Sequence, residues 1–508
     1  MLIIPPVHLV VMQPPGYVHS LGFLDQARYV RYQLRRLGAK VTLAKNRLRE
    51  DAINVVFGAH LGFPPERRTR HTCVFFNLEQ LGRGGAQVNP AYLQLLRGSA
   101  VVDYDADNVV TYSHDPADVP LVPLMFAPYL DRPTLPLEER PIDLLFFGSV
   151  NARRQALIRR VEDCGHSVSV FDAPLYGPER DDFIRQAKAV LNCHYYESSR
   201  FEQARVAHCL SLGTPVVSER RAETRPPAAF EHAVSWFDEA GLEGFFRSQF
   251  GRPAWFDAAR GQLGEFTRHD PIDAYAELMA FMTGVHQGHL KTRAPGPQRP
   301  TRLNLAAGKD YEPGWLNLDP EESTQPDLQL DLGQPLRLPL QMPTRHGGQV
   351  RIDPGQVELI RAGDALTRVQ DVQTLMGNAL RLLAEGGEIE VEVPYERALT
   401  AWQDPSRLRA MNENSWGCYI ERFWQLGWFE HRFEMVASGW LDLNRQPATR
   451  DAAAYMRVRL RKVATSPRER TLARAMQVDF GGLDDDLEGD PAARPHPAEP
   501  VSLTLRAA

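Results

Sequence analysis

Cysteine is sparse in this 508-residue sequence, long apolar runs are missing, and neither sign of charge dominates. The five cysteines, Cys73, Cys164, Cys193, Cys209 and Cys418, include no Cys-x-x-Cys pair. That spacing argues against a zinc knuckle or a disulfide framework and for reduced thiols in a cytoplasmic protein. His194 and His208 lack companions at metal-ligand spacing, so no metal site is expected. No stretch reaches the roughly eighteen consecutive apolar residues of a membrane-spanning helix, which leaves at most peripheral membrane contact. The opening MLIIPPVHLVVMQPP is apolar, but it lacks a basic leading segment and a small-residue cleavage site, and Pro5, Pro6, Pro14 and Pro15 interrupt it. A first buried strand is expected there rather than a signal peptide. A net charge of -6 gives no general attraction to polyanions, and no specific nucleic-acid partner is expected.

What is present is the composition of a soluble globular protein, 43% hydrophobic and 24% charged, in a chain too long for one core. About three domains are expected. Short β-branched runs alternate with helical periodicity through VHLVVM, LDQARYVRYQLRRLG, KVTLA, AINVVFG and HTCVFFNLEQ, a βαβ series that predicts a buried parallel sheet. A Pro-rich passage from Pro116 to Pro141 reads as a crossing between domains. A second series runs from IDLLFFGSVNARRQALIRRVEDCG through VSVFD, AVLNCHYY, FEQARVAHCLSLG and PVVSE. Two such halves would present the carboxyl ends of their strands to one cleft. The helical DAYAELMAFMTGVHQ follows, then the linker KTRAPGPQRPTR, then a third α/β series from LNLAAG. After about Ser466 the chain holds too little apolar surface to order itself, and a mostly disordered tail is expected. The expected fold class is α/β: Rossmann-like domains at 1–125 and 126–290, a linker at 291–301, a third Rossmann-like domain at 302–465 and the tail at 466–508.

In the third domain, RLNLAAGKDYEPGWLNLD (Arg302–Asp319) reads as a strand, a small-residue turn and a second strand closed by an acid. Small residues let the backbone approach a ligand, and an acid ending the second strand accepts hydrogen bonds from ribose hydroxyls. Ala306, Ala307 and Gly308 would form the turn and Asp319 would be the acid; an α/β turn without a ligand is the alternative on the motif alone. This run, together with LLAEGGEIEVEVPYE and AWQDPSRLRAMNENSW, resembles class I S-adenosylmethionine-dependent methyltransferases over most of residues 302–435. The resemblance implies S-adenosylmethionine as cofactor, bound at Ala306, Gly308 and Asp319, with Asp331 and Asp364 on later cofactor-side loops. The sequence departs from that family where the chemistry is concentrated. Ala306 and Ala307 stand in place of Gly and Cys, Thr367 and Arg368 in place of Glu and His, and TRHGGQVRIDPGQ replaces a short acidic loop. An active domain and a non-methylating one are both open at this point. Trp416, Trp424 and Trp428, at near-helical spacing, read as core.

In the middle domain, Gly148-Ser149 lies at a strand-to-helix turn, a natural phosphate perch, with Arg153 and Arg154 one turn on. A plain βα turn with a solvated basic face is the alternative. NLEQL (Asn77–Leu81), VVDYDADN (Val101–Asn108), DLLFFGSVNARR and RFEQARVAHCLSLGTPVVSE together resemble GT-B glycosyltransferases over roughly residues 50–220. The resemblance implies two Rossmann-like domains in the GT-B arrangement, a nucleotide-sugar donor and a glycan or glycosylated-protein acceptor. On it, Gly148, Ser149, Arg153, Arg154, Arg205, Ser218 and Glu219 are donor-binding candidates. Glu202, Glu79 and Asp103 are the catalytic candidates, the last two on the acceptor side with Tyr104 and Asn108. Many retaining members place a Glu five residues before the glycine of the last motif, where this sequence has His208. The expectation is a glycosyltransferase whose methyltransferase-like domain methylates the product. The alternatives are a methyltransferase with a ligand-binding N-terminal module, and a glycosyltransferase with a degenerate third domain as scaffold.

Overall fold

The computed structural model describes residues 4–171, 173–293, 296–308 and 310–476. The chain divides into two compact units, residues 1–295 and 296–508. No helix among the described residues is long and apolar enough to cross a membrane.

The first unit holds two parallel five-stranded sheets. One is built from β1 (Val7–Val11), β2 (Val41–Lys45), β3 (Ile53–Phe57), β4 (Cys73–Phe76) and β5 (Ala100–Val102) in the order β2-β1-β3-β4-β5. The other is built from β6 (Ile142–Phe146), β7 (Val168–Val170), β8 (Ala187–Asn192), β9 (Val216–Glu219) and β10 (Ser235–Phe237) in the order β10-β9-β8-β6-β7. The runs VHLVV and INVVF are buried along their whole length, as strands covered on both faces must be. The helix Phe23–Arg36 buries Ala27, Val30 and Leu34, one face at helical spacing. The helix Ile272–Thr292 returns from the second sheet to the first half, where Tyr275 hydroxyl donates to Pro123 O at 3.3 Å and Thr72 Oγ1 lies 2.8 Å from His286 Nδ1. One apolar core consequently runs from Val7 to Met282.

The second unit is built on an eight-stranded sheet. Its strands are β11 (Arg302–Leu305), β12 (Leu316–Asp319), β13 (Leu328–Gln329), β16 (Val357–Gly363), β17 (Leu383–Pro394), β18 (His431–Leu441), β19 (Pro447–Ala448) and β20 (Tyr455–Ala464). The order is β13-β12-β11-β16-β17-β20-β18-β19, parallel from β13 to β17 and antiparallel beyond. The strand order reverses between β11 and β16, the switch point at which doubly wound sheets open a ligand crevice. The insertion TRHGGQVRIDPGQ contributes to a separate hairpin of β14 (Leu340–Pro343) and β15 (Gln349–Ile352). Alternation governs the antiparallel part: Ile389, Val391 and Val393 pair with Leu460, Val458 and Met456 in the core, while Glu388 and Glu392 meet Arg461 and Arg457 outside at 2.8 and 2.7 Å. Trp416 is core, 1% exposed.

The first residues of the expected tail are ordered. Ser466 and Glu469 form a reciprocal cap, with Ser466 N donating to Glu469 Oε2 at 2.8 Å and Glu469 N to Ser466 Oγ at 3.2 Å, and the helix Pro467–Met476 follows. Glu469 also pairs with Arg432 at 2.9 Å. The remainder of that expectation, 477–508, lies outside the described residues.

Candidate functional site

A cleft of about 700 Å³ lies within the first unit, walled by loops of both halves. On one wall the chain leaves β6 through Phe147, Gly148 and Ser149. Gly148 has φ +115°, and a Cβ there would lie 2.8 Å from Arg205 Nη2, so the turn needs a residue without a side chain. Asn151 caps the following helix, Ala152–Glu162, by accepting from Arg154 N. Arg154 is 2% exposed and nearly saturated with partners. It donates to Cys193 O at 2.7 and 3.0 Å, to Ser149 O at 2.9 Å and to Glu202 Oε1 at 2.7 Å, and its guanidinium lies 5.1 Å from the Tyr195 ring. Arg205, from the helix Gln203–Ser211, pairs with the other Glu202 oxygen at 2.8 Å and lies over the Phe147 ring beside Gly148. Glu202 thus anchors two guanidinium groups. Arg205, with its side chain 19% exposed, is the one that meets solvent in the cleft.

Arg153, Ser218 and Glu219 stand apart from this wall. Arg153 pairs with the fully buried Glu219 carboxylate and donates to His194 O at 3.0 Å. Ser218 accepts from Asn192 Nδ2 at 3.0 Å inside the sheet. Consecutive helical residues point about 100° apart, and here Arg153 turns to Glu219 while Arg154 turns to Glu202 and the cleft.

The first half supplies the opposite wall, with Leu78, Glu79 and Gln80 after β4 and Tyr104 after β5. Asp103 is fully buried behind them, where it accepts from Asn77, Asn108, Tyr112 and the amides of Tyr104 and Asp105 at 2.8–3.0 Å. Burial pushes its pKa up to about 6 against the pull of these donors. Asp103 knots the loop and does not line the cleft. Glu79 does line it, and its carboxylate takes no hydrogen bond among the described residues; its nearest polar partner is His60 Nε2 at 3.6 Å. Burial lowers the His60 pKa, Glu79 opposing.

A network that no sequence spacing reveals also lines the cleft. Arg180 donates to Asp25 of the first half at 2.8 Å and to Asp181 at 2.6 Å. His208 Nε2 lies 2.8 Å from both Asp181 Oδ1 and Arg180 Nη2. Arg180 can only donate and Asp181 only accept, so a protonated Nε2 serves Asp181 and a bare one serves Arg180. Burial would raise the Asp181 pKa, but His208 and Arg180 hold it down to about 2. His208, where retaining relatives of the resemblance carry Glu, is thus absorbed into an ion-pair cluster.

In the second unit, Ala306 takes a left-handed conformation, φ 47°, normally left to glycine. Asp319 ends β12 and accepts from the amides of Gly308 and Glu321, both at 2.8 Å. Asp331 accepts from Gly333 N at 2.8 Å. Asp364, after β16, is clasped by Arg407 at 3.0 Å and Arg368 at 3.2 Å, and Arg368 also reaches Asp404 at 2.7 Å. Asp319 ends the strand next to β11, beside the switch point of the sheet. Asp364 is paired with two arginines, so its charge is offset within the chain. No group of three or more His, Cys, Asp or Glu side chains among the described residues could hold a metal ion.

No family model and no curated protein matches the chain. Among solved structures it is similar to AviGT4, a glycosyltransferase involved in avilamycin A biosynthesis, at 15% identity and TM-score 0.37 over 56% of this chain and 98% of that one. It is similar to WaaG, a glycosyltransferase involved in lipopolysaccharide biosynthesis, at 12% identity and TM-score 0.35 over 55% of this chain and all of that one. A different part of the chain is similar to an S-adenosylmethionine-dependent methyltransferase from Mesorhizobium loti, at 16% identity and TM-score 0.21 over 33% of this chain and 93% of that one. At such identities the likeness is one of fold.

Proposed function

We propose that the first unit is a glycosyltransferase whose cleft binds a nucleotide sugar, the diphosphate resting on the Gly148 turn against Arg205. The observation that carries this reading is the guanidinium of Arg205, held by Glu202 over a backbone stripped of its side chain. A diphosphate leaving group needs backbone amides and a fixed cation where its charge develops. Glu79, which lines the facing wall, is the base in this reading. The acceptor hydroxyl oxygen attacks the anomeric carbon, the bond from that carbon to the phosphate oxygen breaks, its electron pair leaves with the diphosphate, and Glu79 takes the hydroxyl proton. A glycan or glycosylated protein is the acceptor, and the five unpaired cysteines agree with a cytoplasmic setting. The test is transfer and hydrolysis with a panel of UDP-, GDP-, dTDP- and ADP-hexoses: Arg205→Ala should lose at least tenfold in kcat/KM, and a fully active variant refutes the site.

For the second unit we infer a methyltransferase fold that no longer transfers methyl groups, because Asp364 is spent on Arg368 and Arg407. Millimolar S-adenosylmethionine should leave the melting temperature unchanged. Binding a hundredfold below that concentration would add about 2.7 kcal/mol, a shift easily seen, and would reverse the inference.

A further inference from the structure

Gln203 is the first residue of the helix that carries Arg205, and it lines the cleft. Its side chain is 2% exposed, yet both Oε1 and Nε2 lack a hydrogen-bond partner. From the other half, Gln26 brings a second buried and unpartnered Oε1 to the same cleft. Buried carboxamides are ordinarily satisfied, and each one left bare is a standing cost to the fold. Such a cost is retained where a ligand supplies the missing partners.

The chemistry of the missing partner follows from the atoms. Nε2 needs an acceptor and Oε1 needs a donor. A phosphate oxygen at neutral pH offers no proton and would leave Oε1 bare, whereas a hydroxyl both accepts and donates. Gln203 lines the same cleft as Glu202 and Arg205, the pair of the proposed diphosphate perch. We propose that Gln203 is the specificity-determining residue of the cleft, its carboxamide reading a hydroxyl of the transferred sugar, with Gln26 Oε1 accepting from a second hydroxyl. This rests on the donor-cleft reading above.

Gln203→Leu keeps the volume and removes both unpartnered atoms, so the ligand-free variant should melt at or above the wild-type temperature. Calorimetric titration with the accepted nucleotide hexose should show affinity down roughly ten- to a hundredfold, with affinity for the parent nucleoside diphosphate unchanged. Wild type should reject one mono-deoxy analogue of the hexose by a similar factor, and the Leu variant should not. A lower melting temperature would mean that the carboxamide has a structural partner, and equal losses for hexose and diphosphate would place it on the ribose; either result overturns the proposal. Unchanged hexose affinity in the variant overturns it too and leaves the donor cleft standing. A wild-type protein that binds neither nucleotide hexose nor diphosphate overturns the donor cleft, and this inference with it.

Discussion

Replacing Gly148 by Ala tests the donor perch with a single methyl group. Two effects are built into that position. At φ +115° an L-residue is strained by about 1–3 kcal/mol. The new Cβ would stand 2.8 Å from Arg205 Nη2, where ordinary contact begins at 3.4 Å, so the guanidinium must retreat by about 0.6 Å. That retreat is cheap for the fold, because the end of a long side chain moves. It is costly for a diphosphate, because a charge-assisted hydrogen bond worth about 1.5–3 kcal/mol is misplaced. The expected variant melts several degrees lower and binds the nucleoside diphosphate at least tenfold more weakly. A double-mutant cycle with Arg205→Ala separates the effects: if the methyl acts on binding through Arg205, the two affinity losses will not add, whereas the stability losses will. Wild-type affinity in Gly148→Ala, or additive affinity losses, would refute the placement of the diphosphate.

Two further outcomes are expected. Asp103 is held near pKa 6 by burial, above the carboxylate range, so its ionised form opposes folding; the destabilisation is complete above pH 6 and is relieved as pH falls toward 4. Relative to Asp103→Asn, wild type should gain about 1.4 kcal/mol between pH 8 and pH 5 in urea titrations, and a flat difference would show that the five donors keep the carboxylate ordinary. Ser466→Ala should cost the Pro467–Met476 helix about 1 kcal/mol by breaking the reciprocal cap with Glu469; faster amide exchange confined to that helix is the readout, and unchanged exchange would show that the Arg432 pair alone holds it.

The strands and the two frames were legible because parallel strands buried on both faces write themselves as continuous apolar runs, as VHLVV and INVVF do. The turn at Gly148 was legible for the same local reason: a strand, a glycine and a helix cap lie within a few residues. Which arginine would face the cleft was not legible from the pair Arg153-Arg154, since a rotation of about 100° decides it and the partner Glu219 lies 66 residues on. Asp103 was an acid candidate through the motif VVDYDADN, but its five donors come from residues spread over 77–112 and bury it behind the cleft wall. The Ser466–Glu469 box was written in the sequence as S-x-x-E and was hidden by the polar composition around it. Gln203 carried no signal at all, for an unpartnered carboxamide is a property of its surroundings.

The meaning of those open atoms depends on whether the cleft is loosely or firmly built. Ties between the halves of the first unit include Arg180 to Asp25, His19 to Tyr176, Ser198 to Gln80, Arg200 to Asn108, the bidentate pair of Arg36 with Asp270 at 2.6 and 2.7 Å, and Thr72 with His286. Asp25, Arg180, His19, Tyr176 and Gln80 line the cleft, and His286 lies on the returning helix. Between these ties the Gln203 carboxamide and Gln26 Oε1 keep no partner of their own. In the second unit Asp319 accepts one backbone amide on each oxygen and keeps acceptor capacity, whereas Asp364 is engaged by two arginines. A cleft tied across both halves and holding bare polar atoms is preorganised for a ligand, the arrangement on which the transfer chemistry proposed for the first unit rests.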